Sequence, residues 1–578
     1  MRILLYCSAF NSLSQRIHGE LELLNHDVWV LTPCMWKSKD LSEEEQVQKL
    51  VDSINPELVI CPFLKHRIPN SVCEKYSCLV VHPGGVGDRG PSSLDWCIFK
   101  RFEQWGVTLL QATEELDGGP IWGHRTFDTR ETSKSSLYRH EVSQQATELI
   151  TQVLAGLSKG QAITKCPSPI ESVWRPYLKQ TQRSIDWQRM NAEQICNRIR
   201  SADSQPGLSA TLENQAVFLY GANVDTDHGG TPGSIVACDH QAICIATIEG
   251  SVWVQQIKRD TPESLKLPAS YFLQYCAYGT ISKLRSINNP VNDINTRVEG
   301  DVAYIEFNCY NGAMDAAYCE RLKVELAIVK SSAVKVIALC GGEEFWSNGI
   351  HLNVIEAADD PAQASWQNIN AMNDLVEEII HTHQQITVAA ISANAAAGGA
   401  IMALACNRVI VREGVILNPH YANMGLYGSE YWTYLLPRRI GEQSARTIAQ
   451  ECKPMLAAKA LELGIADEIF EGNQHRFCQT LTHYCAALSE HQNHRDITAY
   501  YSLQRQKHQQ EKPLHRYREE ELRIMHGQFF DPNSDYHTRR RAFVQKAPSP
   551  LAAGIQTADQ WVTAKTSSSD SFIPSDFN

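Results

Sequence analysis

Short unbroken apolar runs alternate with polar helical stretches over the first 125 residues, stop, and resume near residue 298. That double alternation limits the fold more than any other feature. In the first block, Arg2 to Cys7, His26 to Leu31, Leu58 to Cys61 and Cys78 to His82 read as strands, with helices at Asn11 to Leu24 and Ser42 to Ser53. Strand–helix alternation of this kind predicts a parallel sheet of doubly wound type. Ligands gather at the carboxyl ends of such strands, and the Gly/Pro-rich segment HPGGVGDRGPSS falls there, just after Val81.

Between the two blocks the pattern is different. CPSPIESVWRPY, from Cys166, is a proline-rich crossing, and Ala192 to Ser201 is a short helix. Gln215 to Leu219, Gly233 to Cys238, Ala242 to Ile248 and Ser251 to Ile257 then read as strands joined by turn residues, which predicts a small β-barrel. A linker-like SINNPVND follows. The second block has strands at Val302 to Phe307, Val336 to Leu339, Val388 to Ile391 and Arg408 to Val411. The expected domains are therefore 1–165, 166–285 and 286–484, then a charged helical extension over 485–545 and a loosely ordered tail over 546–578.

A length of 578 residues fits three or four domains, and a net charge of -12 argues against a general nucleic-acid or membrane-surface binder. No window approaches the roughly 18 to 20 unbroken apolar residues that a spanning helix requires. The first residues read as a buried strand rather than a signal peptide, so the expected location is the cytoplasm. The 18 cysteines are scattered singly and never form Cys-x-x-Cys. They read as reduced, mostly buried thiols, with no metal site expected.

Three features of the first half belong together. His82 ends a strand and enters a loop carrying Gly84, Gly85, Gly87 and Gly90. In GVTLLQATEELDGGPIW, Asp117 opens an Asp-Gly-Gly-Pro-Ile turn. Further on comes SIDWQRMNAEQICNRIRSADSQPG. A His and an Asp at neighbouring strand ends can supply a base and the carboxylate that orients it, as acyl transfer requires. The ordered set resembles the folate-dependent formyltransferase and hydrolase family over about 280 residues. That resemblance implies binding of 10-formyl-tetrahydrofolate near Phe63, Leu64 and Gly84, with His82 and Asp117 catalytic. The family's Asn two residues before the His is Val80 here, so its oxyanion donor is missing.

The second block holds FWSNGIHLN, Phe345 to Asn353, and the nearly reagent-free SANAAAGGAIMALACN, Ser392 to Asn407. A glycine in the first turn of a helix lets a carbonyl oxygen approach unpaired N–H groups. These stretches, with the later RRIGEQSARTIAQECKPMLAAKALELGIADEIF, resemble the crotonase superfamily. The resemblance makes Ile350 and Gly398 backbone donors to a thioester oxygen and sets Gly349 and Gly399 beside coenzyme A. Both hydratase acids are absent: one position is Ile401, and the other falls in LNPHYANMGLYGSEYW. Tyr421, Tyr427 and Glu430 remain within reach. Glu430 either serves the thioester or pairs with Arg438 or Arg439.

The whole order is that of an α/β multidomain chain: a doubly wound formyltransferase-like domain, a small OB-like β-barrel domain, and a crotonase-like α/β domain with a helical C-terminal extension. It resembles the HypX/HoxX family of hydrogenase maturation proteins to about residue 545. This implies transfer of a formyl group from 10-formyl-tetrahydrofolate to coenzyme A, then splitting of formyl-CoA to CO and CoA for the iron of a [NiFe]-hydrogenase. The partners implied are small-molecule substrates and hydrogenase maturation machinery. Two rivals stay open: an amine formyltransferase carrying a degenerate acyl-CoA-binding module, and a scaffold that docks a hydrogenase precursor through the 485–545 helices.

Overall fold

A computed structural model describes residues 1–35, 40–160, 166, 171–276, 285–286, 294–548 and 550–561. The chain forms two compact units. One comprises Met1–Arg183, Arg200–Ser204 and Pro548–Asn578; the other comprises Ser184–Ile199 and Gln205–Ala547.

The first unit is built on strands β1 (Arg2–Tyr6), β2 (Asp27–Leu31), β3 (Leu58–Cys61), β4 (Cys78–His82), β5 (Gln104–Gln111) and β6 (Ile121–Asp128), in the order β2-β1-β3-β4-β5-β6. The first four are parallel to one another; β5 and β6 add antiparallel. β3 and the inner residues of β1 are wholly buried, so they lack the apolar/polar alternation of a half-exposed strand. Helices α1 (Ser12–Leu23) and α2 (Glu43–Ile54) start where Asn11 and Ser42 accept backbone N–H bonds, Ser42 in a reciprocal capping box with Glu45. Val47, Val51 and Ile54 carry the buried face of α2.

The sheet's direction of growth reverses between β1 and β3, which opens a crevice at their carboxyl ends. Loops cross it: the Ser8 N–H donates to the Phe63 carbonyl at 2.8 Å, and the Lys65 N–H donates to Ser8 Oγ at 2.7 Å.

The segment expected to be a loose tail differs over residues 550–561. Thr557 bridges Val30 in parallel, Ile555 and Ala558 are buried, and the Trp561 indole donates to the Ser53 carbonyl at 2.6 Å. Trp561 also stacks edge-on against Trp29 and lies under Arg2. The remainder of that segment, 562–578, lies outside the described residues, as do most of SINNPVND and part of the 166–177 crossing.

The second unit begins with an antiparallel sheet. Strands β7 (Leu208–Leu212), β8 (Gln215–Asp225), β9 (Ile235–Cys238), β10 (Ile243–Ala246) and β11 (Ser251–Arg259) run in the order β9-β10-β11-β8-β7. Its two outer ladders do not pair with each other among the described residues, so the sheet is an open path there. Residues of this sheet region bond into the second α/β block: Gln241 to Asp315 at 3.1 Å, and Asn353 to the Lys266 carbonyl at 3.0 Å.

That block carries β12 (Asn295–Glu299), β13 (Val302–Phe307), β14 (Val336–Gly341), β15 (Ile386–Ile391), β16 (Arg408–Arg412) and β17 (Glu468–Phe470) in sequential spatial order, parallel from β13 onward. Central β15 is buried at every residue. Helices α3 (Ala316–Lys330), α4 (Pro361–Ile380), α5 (Ala397–Leu404) and α6 (Trp432–Ile440) pack with it, followed by α7 (Gln474–Glu490), α8 (His494–Glu511), α9 (Leu514–Phe530) and α10 (Asp535–Val544). The last four belong to this unit's core rather than a separate module. Leu514, Leu522, Met525, Phe529 and Tyr536 join its main apolar cluster. Arg505 on α8 donates to the carbonyls of Ile380, Thr382 and Ala405, at the carboxyl ends of α4 and α5. Among the described residues, no helix is long and apolar enough to cross a membrane.

Candidate active sites

In the first unit His82 closes β4 and is 4% exposed at its side chain, between two carboxylates. Asp117 Oδ2 lies 3.6 Å from Nδ1, and Asp88 Oδ2 lies 3.0 Å from Nε2. The expected His82–Asp117 pairing is thus present but loose, and the nearer acid is one the sequence did not single out. Asp88 is itself gripped. Ser93 Oγ donates to its Oδ2 at 2.6 Å, and Arg175 pairs with Oδ1. Asp117 sits in a left-handed turn residue, φ 51°, and accepts the Gly90 N–H at 3.0 Å, which ties the two loops together. Gly84 has a structural duty here. A Cβ on it would lie 2.4 Å from His82 Nε2 and 2.3 Å from Asp88 Oδ2, so the His82–Asp88 contact needs a bare Cα.

Val80 lies on the same face of β4 as His82, two residues earlier, and is half-buried. Phe63 and Leu64 follow β3, both half-buried, at the same carboxyl edge of the sheet. The Phe63 ring meets Tyr138 edge-on at 6.1 Å, and Lys65 stands over it at 5.3 Å. An apolar crevice wall and a buried His between acids therefore share one edge of one sheet.

In the second unit the stripped stretch forms α5, which begins without a side-chain cap after Ala396. Asn418 pairs with Ala396 in a small sheet, and its buried Oδ1 has no hydrogen-bond partner among the described residues. Gly398 is the second residue of α5, so its N–H has no intrahelical acceptor. Gly349, at φ 77°, brings the Ile350 turn against it: a Cβ on Gly349 would stand 3.1 Å from the Gly398 nitrogen. Gly399 packs on Ser347, where a Cβ would come within 2.2 Å of the carbonyl oxygen. Ile350 bridges Met314.

The bare Cα of Gly398 also has a second neighbour. Its absent Cβ would lie 2.0 Å from Glu430 Oε1. Glu430 is 1% exposed, and its Oε2 accepts the Tyr421 hydroxyl at 2.6 Å and the Ser429 N–H at 3.2 Å. Burial pushes this carboxyl up to about 7, with the like charge of Glu521 adding to the shift. Burial, reinforced by Glu430, likewise holds the Tyr421 phenol above its ordinary value and so protonated. Neither arginine pairs with Glu430: Arg438 bonds Glu511 and Arg439 bonds Asp467. Ile401 is buried within α5 in a small apolar void lined by Leu417, Leu436 and Ile465. Tyr427 is farther out, half-buried with its N–H on Gln528 and its ring against Trp432.

A third cluster escaped the sequence reading. Asp225, His228 and Cys244 converge in the antiparallel sheet. Asp225 Oδ2 accepts the Trp253 indole at 3.0 Å and the Cys244 thiol at 3.5 Å and also contacts His228. Its donors and acceptor satisfy one another.

Residues 177–273 match the formyl transferase C-terminal domain family, and residues 297–550 match the enoyl-CoA hydratase/isomerase family. A methionyl-tRNA formyltransferase of Citrifermentans bemidjiense is 26% identical over 252 residues, 43% of this chain and 76% of that protein. The hydrogenase maturation factor HoxX of Bradyrhizobium diazoefficiens is 40% identical over 559 residues, 95% of each chain. The chain belongs to the HypX/HoxX family of hydrogenase maturation factors. A crystal structure of HypX from Aquifex aeolicus in complex with tetrahydrofolic acid agrees at a TM-score of 0.90 and 36% identity, covering 96% of this chain and 98% of that one. HypX/HoxX proteins thus share with this chain the fusion of a formyltransferase module to a crotonase-like module.

Proposed function

We propose that this HypX/HoxX protein makes carbon monoxide for a [NiFe]-hydrogenase, by formyl transfer in its first unit and decarbonylation in its second. In the first step the thiol of coenzyme A attacks the formyl carbon of 10-formyl-tetrahydrofolate. The S–C bond forms, the N–C bond breaks, and the thiol proton ends on the folate nitrogen. His82 carries that proton. Asp117 faces Nδ1 and orients the ring, while Nε2 is the nitrogen the thiol must meet, displacing Asp88. The crevice beside Phe63 and Leu64 suits a flat pterin, and the tetrahydrofolate complex of the Aquifex relative supports folate as the donor.

In the second step formyl-CoA loses its C–H and C–S bonds, giving CO and a thiol. The formyl proton moves to sulfur, so no oxidant or reductant is consumed. The Ile350 and Gly398 N–H groups hold the thioester oxygen, and each such donor is worth roughly 3 kcal/mol in comparable sites. Glu430, hydrogen-bonded to Tyr421, takes the proton and returns it. A carboxyl that titrates near 7 is suited to both halves of that exchange. Ile401 puts an apolar side chain, in apolar surroundings, where a hydratase would carry a water-activating acid.

The observation that carries this reading is the Glu430 carboxyl lying over the bare first turn of α5 while the hydratase position holds isoleucine. The test feeds formyl-CoA directly to the purified protein and measures how it partitions. CO with free CoA supports the reading; formate with free CoA refutes the decarbonylation step.

A further inference from the structure

We infer that Glu521, on α9 of the C-terminal extension, is a positioning residue for the crotonase-like site. Its carboxylate clamps the 429–433 turn and thereby aims Glu430 at the first turn of α5. The inference rests on the proposed role of Glu430.

The turn that presents Glu430 is one the chain does not favour by itself. Glu430 and Tyr431 are both left-handed, at φ 59° and 61°, and neither is a glycine. Such a pair persists only where its surroundings over-determine it. Here four donors of one short segment converge on a single buried carboxylate. Glu521 Oε2 accepts the Tyr431 N–H at 3.0 Å and the Ser429 hydroxyl at 3.2 Å, while Oε1 accepts the Thr433 N–H at 2.9 Å and its hydroxyl at 2.5 Å. Glu521 is fully buried, and the sequence separation from these partners is 88 to 92 residues.

A second grip comes from α4. Asn373 Oδ1 accepts the Glu430 N–H at 2.7 Å, and the Tyr431 hydroxyl donates to Glu377, which Arg518 holds. The clamp thus fixes the backbone on both sides of Glu430 while leaving its carboxyl free to meet Tyr421 and Gly398. An ordinary helix cap on α6 would explain the Thr433 contacts alone. It would not explain why the same carboxylate also takes Ser429 and Tyr431, on either side of Glu430. Burial and proximity also link the two acids electrostatically, each held near 7.

The test compares the full-length protein with Glu521→Gln, which keeps the shape but replaces one acceptor oxygen with a donor, and with Thr433→Val, which removes one hydroxyl donor. Glu521→Gln is expected to lower kcat for CO release from formyl-CoA roughly 10²-fold, as a small misplacement of a reacting group does. KM should stay within roughly threefold, since acyl-CoA binding is made elsewhere. Thr433→Val should lower kcat less, with the same split. In parallel, the infrared carbonyl stretch of protonated Glu430, assigned by its loss in Glu430→Gln, should shift in both variants. A kcat within twofold of wild type and an unmoved band would overturn the clamp. If Glu521→Gln fails to fold, Thr433→Val decides on the same criteria. Absence of CO from the wild-type protein would instead overturn the functional reading, and the infrared band alone would then judge the clamp.

Discussion

On the proposed reading, the two candidate sites meet opposite demands with opposite materials. His82 stands among charges: two aspartates at its ring nitrogens, an arginine on one of them, a serine on the same acid. The α5 site is mostly apolar. One carboxyl lies on a glycine Cα, with a tyrosine as its hydrogen-bond donor, while Ile401 lies in an apolar void. A transfer step must move a proton between two heteroatoms and tolerates a polar site. A thioester that water would hydrolyse demands a dry one. What a site lacks can be as chemically specific as what it holds.

The comparison breaks most visibly under crossed substitution. His82→Ala should lower formyl transfer to CoA by roughly 10² to 10⁴, the usual worth of an acid–base group, while CO release from supplied formyl-CoA is unchanged. Glu430→Gln should do the reverse. Each is read by chromatography of formyl-CoA and by haemoglobin trapping of CO. If either variant damages both steps equally, the division of labour is wrong.

A gentler probe is Gly398→Ala. The new Cβ meets Glu430 Oε1 at 2.0 Å, so the carboxyl must move. CO release should fall roughly 10²-fold with transfer intact. In the first unit, Asp117→Asn should lower transfer roughly tenfold, because Nδ1 loses the carboxylate that orients the ring. Asp88→Asn should not lower it, since the thiol must displace Asp88 from Nε2; a fall as large as that of Asp117→Asn would mean that Asp88 holds the ring instead.

The smallest effect is on stability. Glu430 and Glu521 keep their protons to about 7, against an ordinary 4.5, because burial penalises their charged forms. Between those values the unfolded chain releases protons that the folded chain retains, so stability declines as pH rises through that window and levels above it. Urea midpoints taken at pH 5 and pH 8 should differ in that sense, and the difference should shrink in Glu430→Gln.

Much of this was legible in the residues. β3, β4 and β13 end where their apolar runs end, since a strand covered on both faces needs no polar alternation. The motif assigns Gly398 and Ile350, the resemblance leaves Glu430 only within reach, and the Glu430 carboxyl lies against the Gly398 Cα. Asp88 is not legible in the sequence, because an acid six residues beyond a histidine carries no local periodicity that would aim it back. Glu521 was hidden for a different reason. On a charged helix it reads as a solvated face, and its partners lie some 90 residues earlier. The 550–561 segment looked loose because its small, polar composition says nothing of the β2 edge that Thr557 joins.

The division between a charged site and a dry one is tested most directly by following a single labelled carbon. Purified protein would be given carbon-13-formyl-tetrahydrofolate and coenzyme A alone, with labelled CO read by infrared absorption and labelled formate by nuclear magnetic resonance. The account predicts one labelled CO for each formyl group consumed, with formate near the uncatalysed background. Formate in place of CO would contradict it.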